Sequence, residues 1–301
     1  MKMYRSLLFA PGNRVRMLEK VGKSAADAVV LDLEDAIPFD QKSTTRTIVR
    51  EFSEKIAKED KVDVFIRSNP FKDETGLVVA CGQQDLEEIV SENIKGIIIP
   101  KVETKEDIEI ANRILSVLEE SMGLVKGEIN LIGIVESVLG VENVFSISTA
   151  VTGNRDFTLA FGAGDYTNDL NIEWPEDEFN LDYPKTRIAS ACRVSNLSKP
   201  IDTVWIKLND DDGLRKSCER SKYLGFFGKL CIHPKQVKIV NEAFTPSPAE
   251  YERALKIKKI FKEVKSKGEG TVSVEGKMID YPIFHAAEKI IELKNTFGVK
   301  D

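Results

Sequence analysis

Eight times along this chain a short, mostly apolar run stops at a turn or a charged residue and is followed, at once or after a loop, by a segment with helical spacing. The runs are Leu7–Ala10, Ala28–Leu31, Val62–Ile66, Gly96–Ile99, Leu131–Val135, Thr158–Phe161, Thr203–Ile206 and Lys229–Ile232. Runs of four or five residues are too short for buried helices and suit strands covered on both faces. Such strands alternating with amphipathic helices imply a parallel sheet jacketed by helices, and eight of them predict a closed (β/α)8 TIM barrel. The alternative is an open doubly wound sheet, but no GxGxxG turn follows the first run, where Pro11-Gly12 stand instead.

The helical segments are Lys42–Ala57, Asp85–Val90, the stretch after Thr104, Asp182–Asn196, Asp211–Leu224 and Lys235–Phe244. Thr104 and Asp107 form a capping pattern ahead of Ile108, Ala111, Ile114, Leu115 and Leu118, which recur at helical spacing. A long loop containing Trp174-Pro175 precedes the helix at Asp182. From Thr245 the pattern changes. Pro246-Ser247-Pro248 reads as a linker, Ala249–Lys265 as a charged helix, Gly268-Glu269-Gly270 as a break, Thr271–Val274 as a short strand and Ile283–Leu293 as a last helix. Residues 1–245 are therefore predicted to form the barrel, and 246–301 a C-terminal helical extension acting as lid or subunit arm.

The 43 basic and 49 acidic residues leave a charge of −6 spread through the chain, which excludes a general nucleic-acid surface and a membrane surface. No run approaches membrane-spanning length, and Met1 to Arg5 lead directly into the first strand without the apolar core of a signal peptide. The four cysteines show no CxxC spacing and no companion histidine cluster, so neither a zinc site nor a disulfide framework is indicated, and a reducing cytoplasm is expected.

Catalytic groups of a closed α/β barrel sit at the C-terminal ends of its strands. Asp32, Glu34, Asp35, Arg67, Lys101, Glu136, Asp165 and His233 all fall there. Glu136 and Asp165 close successive apolar runs, and two hard oxygen donors so placed can hold a divalent cation. A single acid at a strand end is more often a helix cap or a solvated loop residue; the pairing is what reverses that reading. For Arg67 the competing reading is a salt bridge to Glu34 or Asp35. Arg16 and Lys20 share one face near the start of a helix, though spaced charges are often simply solvated. His233 reads equally as a hydrogen-bonded turn residue, His285 reads as helix packing, and Lys101 is assigned no chemistry.

Several short motifs occur in a characteristic order: Arg5-Ser6 with Phe9-Ala10-Pro11-Gly12-Asn13, Leu31-Asp32-Leu33-Glu34-Asp35-Ala36, Arg67-Ser68-Asn69-Pro70, Pro100-Lys101-Val102, Val135-Glu136-Ser137, Asp202-Thr203-Val204, Ile232-His233-Pro234 and Gly276-Lys277-Met278-Ile279-Asp280. Together they resemble the citrate lyase β-subunit and citramalyl-CoA/malyl-CoA lyase family, within the Mg2+-dependent HpcH/HpaI-type aldolases. The resemblance implies that Glu136 and Asp165 bind Mg2+ and that Arg67 contacts the reacting carbonyl oxygen. It places the CoA diphosphate near Arg16 and Lys20, with Phe9, Ile232 and His233 lining the thioester end and Glu136 facing the substrate. Asp280 becomes an acid/base that reaches in from a neighbouring subunit of a homo-oligomer, a trimer or hexamer. Asp32 and Asp35, with Glu34, become supports for Arg67 and metal-bound water.

The activity implied is Mg2+-dependent cleavage of a 3-hydroxyacyl-CoA thioester, of citramalyl-CoA, malyl-CoA or citryl-CoA type, to a 2-oxo acid and an acyl-CoA. The alternatives are the citrate lyase β-subunit itself, acting on an acyl carrier protein thioester, and a non-catalytic CoA-binding homologue. The presence of Glu136, Asp165, Arg67 and Asp280 argues against the last. The chain departs from the family at Gly164, where members commonly carry Glu or Asp; this leaves the metal-binding Asp165 in place and bears on metal affinity or substrate choice.

Overall fold

A computed structural model describes residues 1–72, 77, 80–266, 271–274 and 277–298. The chain divides into two compact units, Met1–Asn241 and Glu242–Asp301. In the first, strands β1 (Ser6–Pro11), β2 (Ala28–Asp32), β3 (Asp63–Arg67), β4 (Gly96–Ile99), β5 (Asn130–Val135), β6 (Phe157–Phe161) and β7 (Lys229–Cys231) form one parallel sheet in the order β6-β5-β4-β3-β2-β1-β7. Every residue of β2, β4, β5 and β6 is buried, as expected of a sheet covered on both faces.

Helices α1 (Val15–Val21), α2 (Lys42–Lys55), α3 (Ala80–Ile89), α4 (Lys105–Ser121), α5 (Val138–Glu142), α6 (Val144–Ser148), α7 (Ala163–Asp169), α8 (Asp182–Val194), α9 (Asp211–Tyr223) and α10 (Pro234–Phe244) follow the strands. The start of α4 is fixed as its sequence predicts, by the Asp107 carboxylate accepting from the Thr104 backbone N–H at 2.8 Å. Helix α7 lies where the sequence predicts loop.

The segment expected as the seventh strand, Thr203–Ile206, is not one. Only the two residues before it join the sheet: Ile201 bridges Ala160 in β6, and Asp202 bridges Lys229 in β7. The expected closed eight-stranded barrel is thus a curled sheet of seven strands, TIM-barrel-like but without an eighth full ladder to close it. Beyond Asp202, polar groups are bonded elsewhere. Thr203 Oγ1 accepts from the Ala163 N–H (2.9 Å), the Trp205 carbonyl accepts from Gln236 Nε2 (2.7 Å), and Trp205 Nε1 donates to the Asp210 carbonyl (3.2 Å).

Side chains fill the space around that junction. Asp202 is fully buried, 3.1 Å from Lys185 Nζ, and accepts hydrogen bonds from Lys229 Nζ and Ser221 Oγ. Glu178 completes the group at 3.3 Å from Lys185 Nζ, so two buried cations face two buried acids.

The interior apolar cluster contains Leu7, Ala28, Val30, Phe65, Ile98, Ile132, Ile134, Ala160, Ile201 and Leu230, with Tyr4 beneath. Side chains of a strand return to the same face every second residue. Two residues beyond the last core position of every segment but β4 therefore come Phe9, Asp32, Arg67, Glu136, Gly162, Thr203 and Ile232, an inward-facing row above the core.

The second unit contains α11 (Pro248–Ser266), an antiparallel hairpin of β8 (Val272–Val274) and β9 (Lys277–Ile279), and α12 (Tyr281–Phe297). Phe261 of α11 stacks on Phe284 of α12 and meets the Tyr281 ring edge-on, with centroids 4.9 and 5.0 Å apart. The predicted Gly268-Glu269-Gly270 break and Gly276 lie outside the described residues. Among the described residues no helix is long and apolar enough to cross a membrane.

Candidate active site

The inward row begins with an ion pair set by strand register. Asp32 and Arg67 are direct partners across the β2–β3 ladder, so both side chains leave the sheet on the same face. Arg67 donates through Nε and Nη2 to the two Asp32 oxygens at 2.6 and 2.7 Å, a bidentate bond that fixes the guanidinium plane. Its third nitrogen, Nη1, lies 2.8 Å from Glu34 and 3.7 Å from Asp35, while Phe9 lies against the guanidinium with 5.2 Å from its carbon to the ring centroid. Burial alone would lower the Arg67 pKa, but the bonds and charge of Asp32, with Glu34, raise it above the arginine value.

Glu34 is almost fully buried, and burial pushes its carboxyl up to about 7 against the attraction of Arg67. Lys101 is the second cation held by this acid, with Nζ 3.1 Å from Glu34 Oε1. Lys101 carries φ 53°, in the left-handed region that side chains other than glycine seldom adopt. That conformation accompanies a bond from its backbone N–H to Glu136 Oε1 at 2.7 Å. One residue thus anchors one oxygen of Glu136 through its backbone and Glu34 through its side chain. Sequence reasoning left Lys101 without a role; the signal available was its position directly after β4, beside the strand that carries Glu136.

Glu136 follows β5 and is 5% exposed. Burial, the charge of Glu34 and the charge of Asp165 raise its pKa well above the ordinary carboxylate value, opposed by the Lys101 N–H and Arg67. Asp165 stands in the first turn of α7, exposed to solvent. Gly162 lies directly against Glu136: a Cβ there would fall 2.4 Å from Glu136 Oε2.

Of these groups Phe9, Asp32, Asp35, Arg67, Glu136, Gly162 and Asp165 line one cavity of ≈ 520 Å³, together with Pro11, Met17, Ala36, Ile134, Gly164, Thr203, Val204, Leu230 and Ile232; Glu34 and Lys101 stand behind its wall. Four carboxylates against one guanidinium leave the lining strongly acidic. The upward shift at Glu136 is the local expression of that excess: the site favours a proton or a cation beside this carboxylate. Among the described residues no group of three His, Cys, Asp or Glu side chains converges on one point. The protein side of a metal site here would be two hard carboxylates, Glu136 and Asp165, which fits Mg2+ sharing its coordination with water and substrate.

The chain as a whole is similar to known proteins. Residues 5–234 match the family model described as HpcH/HpaI aldolase/citrate lyase. The chain belongs to that family. The citrate lyase subunit beta of Leuconostoc mesenteroides subsp. cremoris is 30% identical over 300 residues, covering 100% of this chain and 96% of that protein. The L-malyl-CoA/beta-methylmalyl-CoA lyase of Rhodobacter capsulatus is 31% identical over 310 residues, covering 96% and 94% respectively. Among solved structures, a citrate lyase from Burkholderia xenovorans LB400 superposes with a TM-score of 0.81 at 16% identity, over 99% of this chain and 93% of that one. CitE from Mycobacterium tuberculosis, determined with magnesium, acetoacetate and coenzyme A, gives a TM-score of 0.75 at 21% identity over 97% and 98%. These two likenesses concern the fold. Homologues named for citrate and malyl-CoA cleavage make this a carbon–carbon lyase of the family.

Of the residues singled out in the sequence, Phe9, Asp32, Asp35, Arg67, Glu136, Asp165 and Ile232 line the cavity. Arg16 and Lys20 are exposed on α1 and do not line it, although Met17 of the same helix does. His233 sits in the turn before α10, where its Nδ1 accepts from the Lys235 N–H at 3.2 Å. Asp280 belongs to the second unit and caps α12, its carboxylate accepting from the Ile283 N–H at 3.2 Å.

Proposed function

We propose that this chain is a Mg2+-dependent lyase that cleaves a 3-hydroxyacyl-CoA thioester of citramalyl-CoA, malyl-CoA or citryl-CoA type into a 2-oxo acid and a shorter acyl-CoA. The observation that carries the reading is one cavity lined by a plane-locked guanidinium, Arg67 on Asp32, together with a buried acid, Glu136, whose surroundings call for a cation. The names of the relatives support the reaction class, and CitE structures determined with magnesium, coenzyme A or oxaloacetate support the ligands.

In the cleavage direction the 3-hydroxyl loses its proton, the C2–C3 bond breaks, and the C3 oxygen becomes the carbonyl of the 2-oxo acid. The bonding pair passes into the thioester as an enolate, which then takes a proton at its α-carbon. Glu136 and Asp165 would hold Mg2+, which would supply Lewis acidity toward the substrate's oxygens. Arg67 faces the oxygen on which enolate charge grows, and donors fixed before the reaction stabilise that charge without reorganising. Asp32 and Glu34 keep the guanidinium from turning, and Lys101 keeps Glu136 oriented. Asp280, from a neighbouring subunit of a trimer or hexamer, delivers the proton to the enolate. Arg16 and Lys20 receive the CoA diphosphate, and Phe9, Ile232 and His233 flank the thioester. The setting is the cytoplasm.

The deciding assay presents citramalyl-CoA, malyl-CoA and citryl-CoA to the purified chain with Mg2+, with chelator, and with Mg2+ restored. Cleavage of at least one thioester, abolished by chelator and recovered with the ion, is expected; no turnover of any of them refutes the proposal. The full-length likeness to a citrate lyase β subunit favours a second reading, in which the acyl group rides on a carrier protein. Turnover of a free CoA thioester by the isolated chain excludes an obligatory carrier.

A further inference from the structure

Every third residue after Glu136 touches the loop that follows β4. Ser137 Oγ donates to Glu103 Oε1 at 2.7 Å, an added Cβ on Gly140 would lie 2.6 Å from the Val102 carbonyl oxygen, and Asn143 Nδ2 donates to the Glu103 carbonyl at 3.0 Å. Residues three apart on a helix share a face, so one face of the α5 segment lies directly on residues 102 and 103. The loop is itself fixed: the Val102 N–H donates to the Ile134 carbonyl at 3.0 Å, and the Glu103 N–H to Asp107 Oδ2 at 3.1 Å. The same loop supplies the Lys101 N–H that bonds Glu136 Oε1. Successive side chains of an extended chain point to opposite sides. Glu136 accordingly lines the cavity, whereas Ser137 and its partner Glu103 do not.

We propose that Glu103 and Ser137 are positioning residues for Glu136: their hydrogen bond holds the end of β5 against the β4 loop and so aims the Glu136 carboxylate at a divalent cation. The inference rests on the reading above in which Glu136 and Asp165 hold Mg2+. Two anchors from one short loop grip adjacent residues. The Lys101 N–H fixes one oxygen of Glu136, and the Glu103 carboxylate fixes the main chain from which that side chain leaves. Ser137 Oγ also accepts from the Gly140 N–H at 3.1 Å, as the cap of α5. A cap needs only that acceptor, so the donation to Glu103 exceeds what the helix requires. Both halves of the hydroxyl are thus in use, and the carboxylate partner makes the donated bond charge-assisted. Carboxylates that ligate metals are themselves oriented by such outer bonds.

The proposal is tested on the purified full chain with Mn2+, read from the EPR signal of the free ion, and with Mg2+ in competition, alongside melting temperatures. Glu103→Ala removes the acceptor and leaves the α5 cap in place; it is expected to weaken both ions about tenfold, the loss typical of an outer-layer partner, at an unchanged melting temperature. Glu103→Gln keeps an oxygen acceptor for the hydroxyl without the charge and should bind within about threefold of the wild type, which separates orientation from the long-range pull of an acid on a cation. Ser137→Ala should weaken the ions as Glu103→Ala does and also lower the melting temperature through the lost cap. The double variant should bind no more weakly than Ser137→Ala, because both changes remove one bond. Glu103→Ala binding as tightly as the wild type, Glu103→Gln binding as weakly as Glu103→Ala, or losses that multiply in the double variant overturns the positioning role. The two Glu103 variants decide the question even where Ser137→Ala does not fold. A wild type that binds neither ion overturns the metal reading itself.

Discussion

Replacing Asp202 by Asn should destabilise the fold by several kcal/mol while leaving every cavity-lining side chain chemically intact. The carboxylate is fully buried, 3.1 Å from Lys185 Nζ, bonded by Lys229 Nζ, and accepts from Ser221 Oγ at 2.6 Å. Asparagine preserves the shape but leaves two buried ammonium groups sharing Glu178 alone, and breaking a buried pair from one side costs about 3–5 kcal/mol. A second route to the magnitude runs through the Asp202 pKa, which burial would raise but Lys185 and Lys229 push down from 3.8 to about 2. A shift of nearly two units is worth about 2–3 kcal/mol. The first figure is the better guide to the variant, because it includes the cation left uncompensated. The folded pKa is depressed, so this contribution is present in full above pH 3.8 and is lost as pH falls through about 2.

Urea unfolding at neutral pH should show the full loss for Asp202→Asn, and the gap from wild type should narrow as pH is lowered through that window. A charge-balanced Asp202→Asn/Lys229→Met double variant should recover part of it. A loss below about 1 kcal/mol at neutral pH, or a gap that does not change with acid, would refute the reasoning, since an exposed pair of this kind is worth no more than that.

Three further outcomes follow from the cavity. Arg67→Lys cannot reproduce the bidentate bond to Asp32 and should lower kcat by about 100-fold or more, with a smaller effect on KM, in steady-state assays; a change in KM alone would contradict the role given to the guanidinium. Gly162→Ala drives a Cβ into Glu136 Oε2 and should raise the Mg2+ concentration for half-maximal activity about tenfold, the cost of disturbing a ligand's orientation; an unchanged requirement would separate Glu136 from the metal. Lys101 holds the Glu34 carboxyl down, against burial that pushes it to about 7, so Lys101→Met should move the acid limb of the pH–rate profile upward as Glu34 protonates more readily; an unmoved limb would mean that Glu34 does not govern Arg67.

All seven strands of the parallel sheet were legible to within one residue at each end, because each is a buried apolar run bounded by a turn or a charge, as in β4 with Gly96–Ile99. The error at Thr203–Ile206 has the same origin: Val204-Trp205-Ile206 carries the hydrophobicity of a strand, but polar groups there bond to Gln236, Ala163 and Asp210, and no sequence pattern announces those partners. Helix α7 was missed because Gly164, Asp165, Thr167, Asn168 and Asp169 are weak helix formers; Thr167 Oγ1, bonded to the Ala163 carbonyl at 2.9 Å, helps to hold the turn. Within the site, the strand-end acids were readable by position. The choice of Asp32 as the bidentate partner of Arg67 was not, because it depends on the β2–β3 register, a long-range quantity. The left-handed Lys101 and the close approach of Gly162 to Glu136 likewise exist only in three dimensions.

Whether Glu136 and Asp165 hold Mg2+ for carbon–carbon cleavage is decided most directly by one rate. Release of acyl-CoA and 2-oxo acid from citramalyl-CoA, or from whichever thioester of the panel turns over, should be followed for the wild type, Glu136→Ala and Asp165→Ala across a Mg2+ titration. Both variants are expected to keep the wild-type melting temperature and to lose about 100-fold or more of the activity at every Mg2+ concentration. A folded variant with full Mg2+-dependent turnover would contradict the assignment of these two carboxylates.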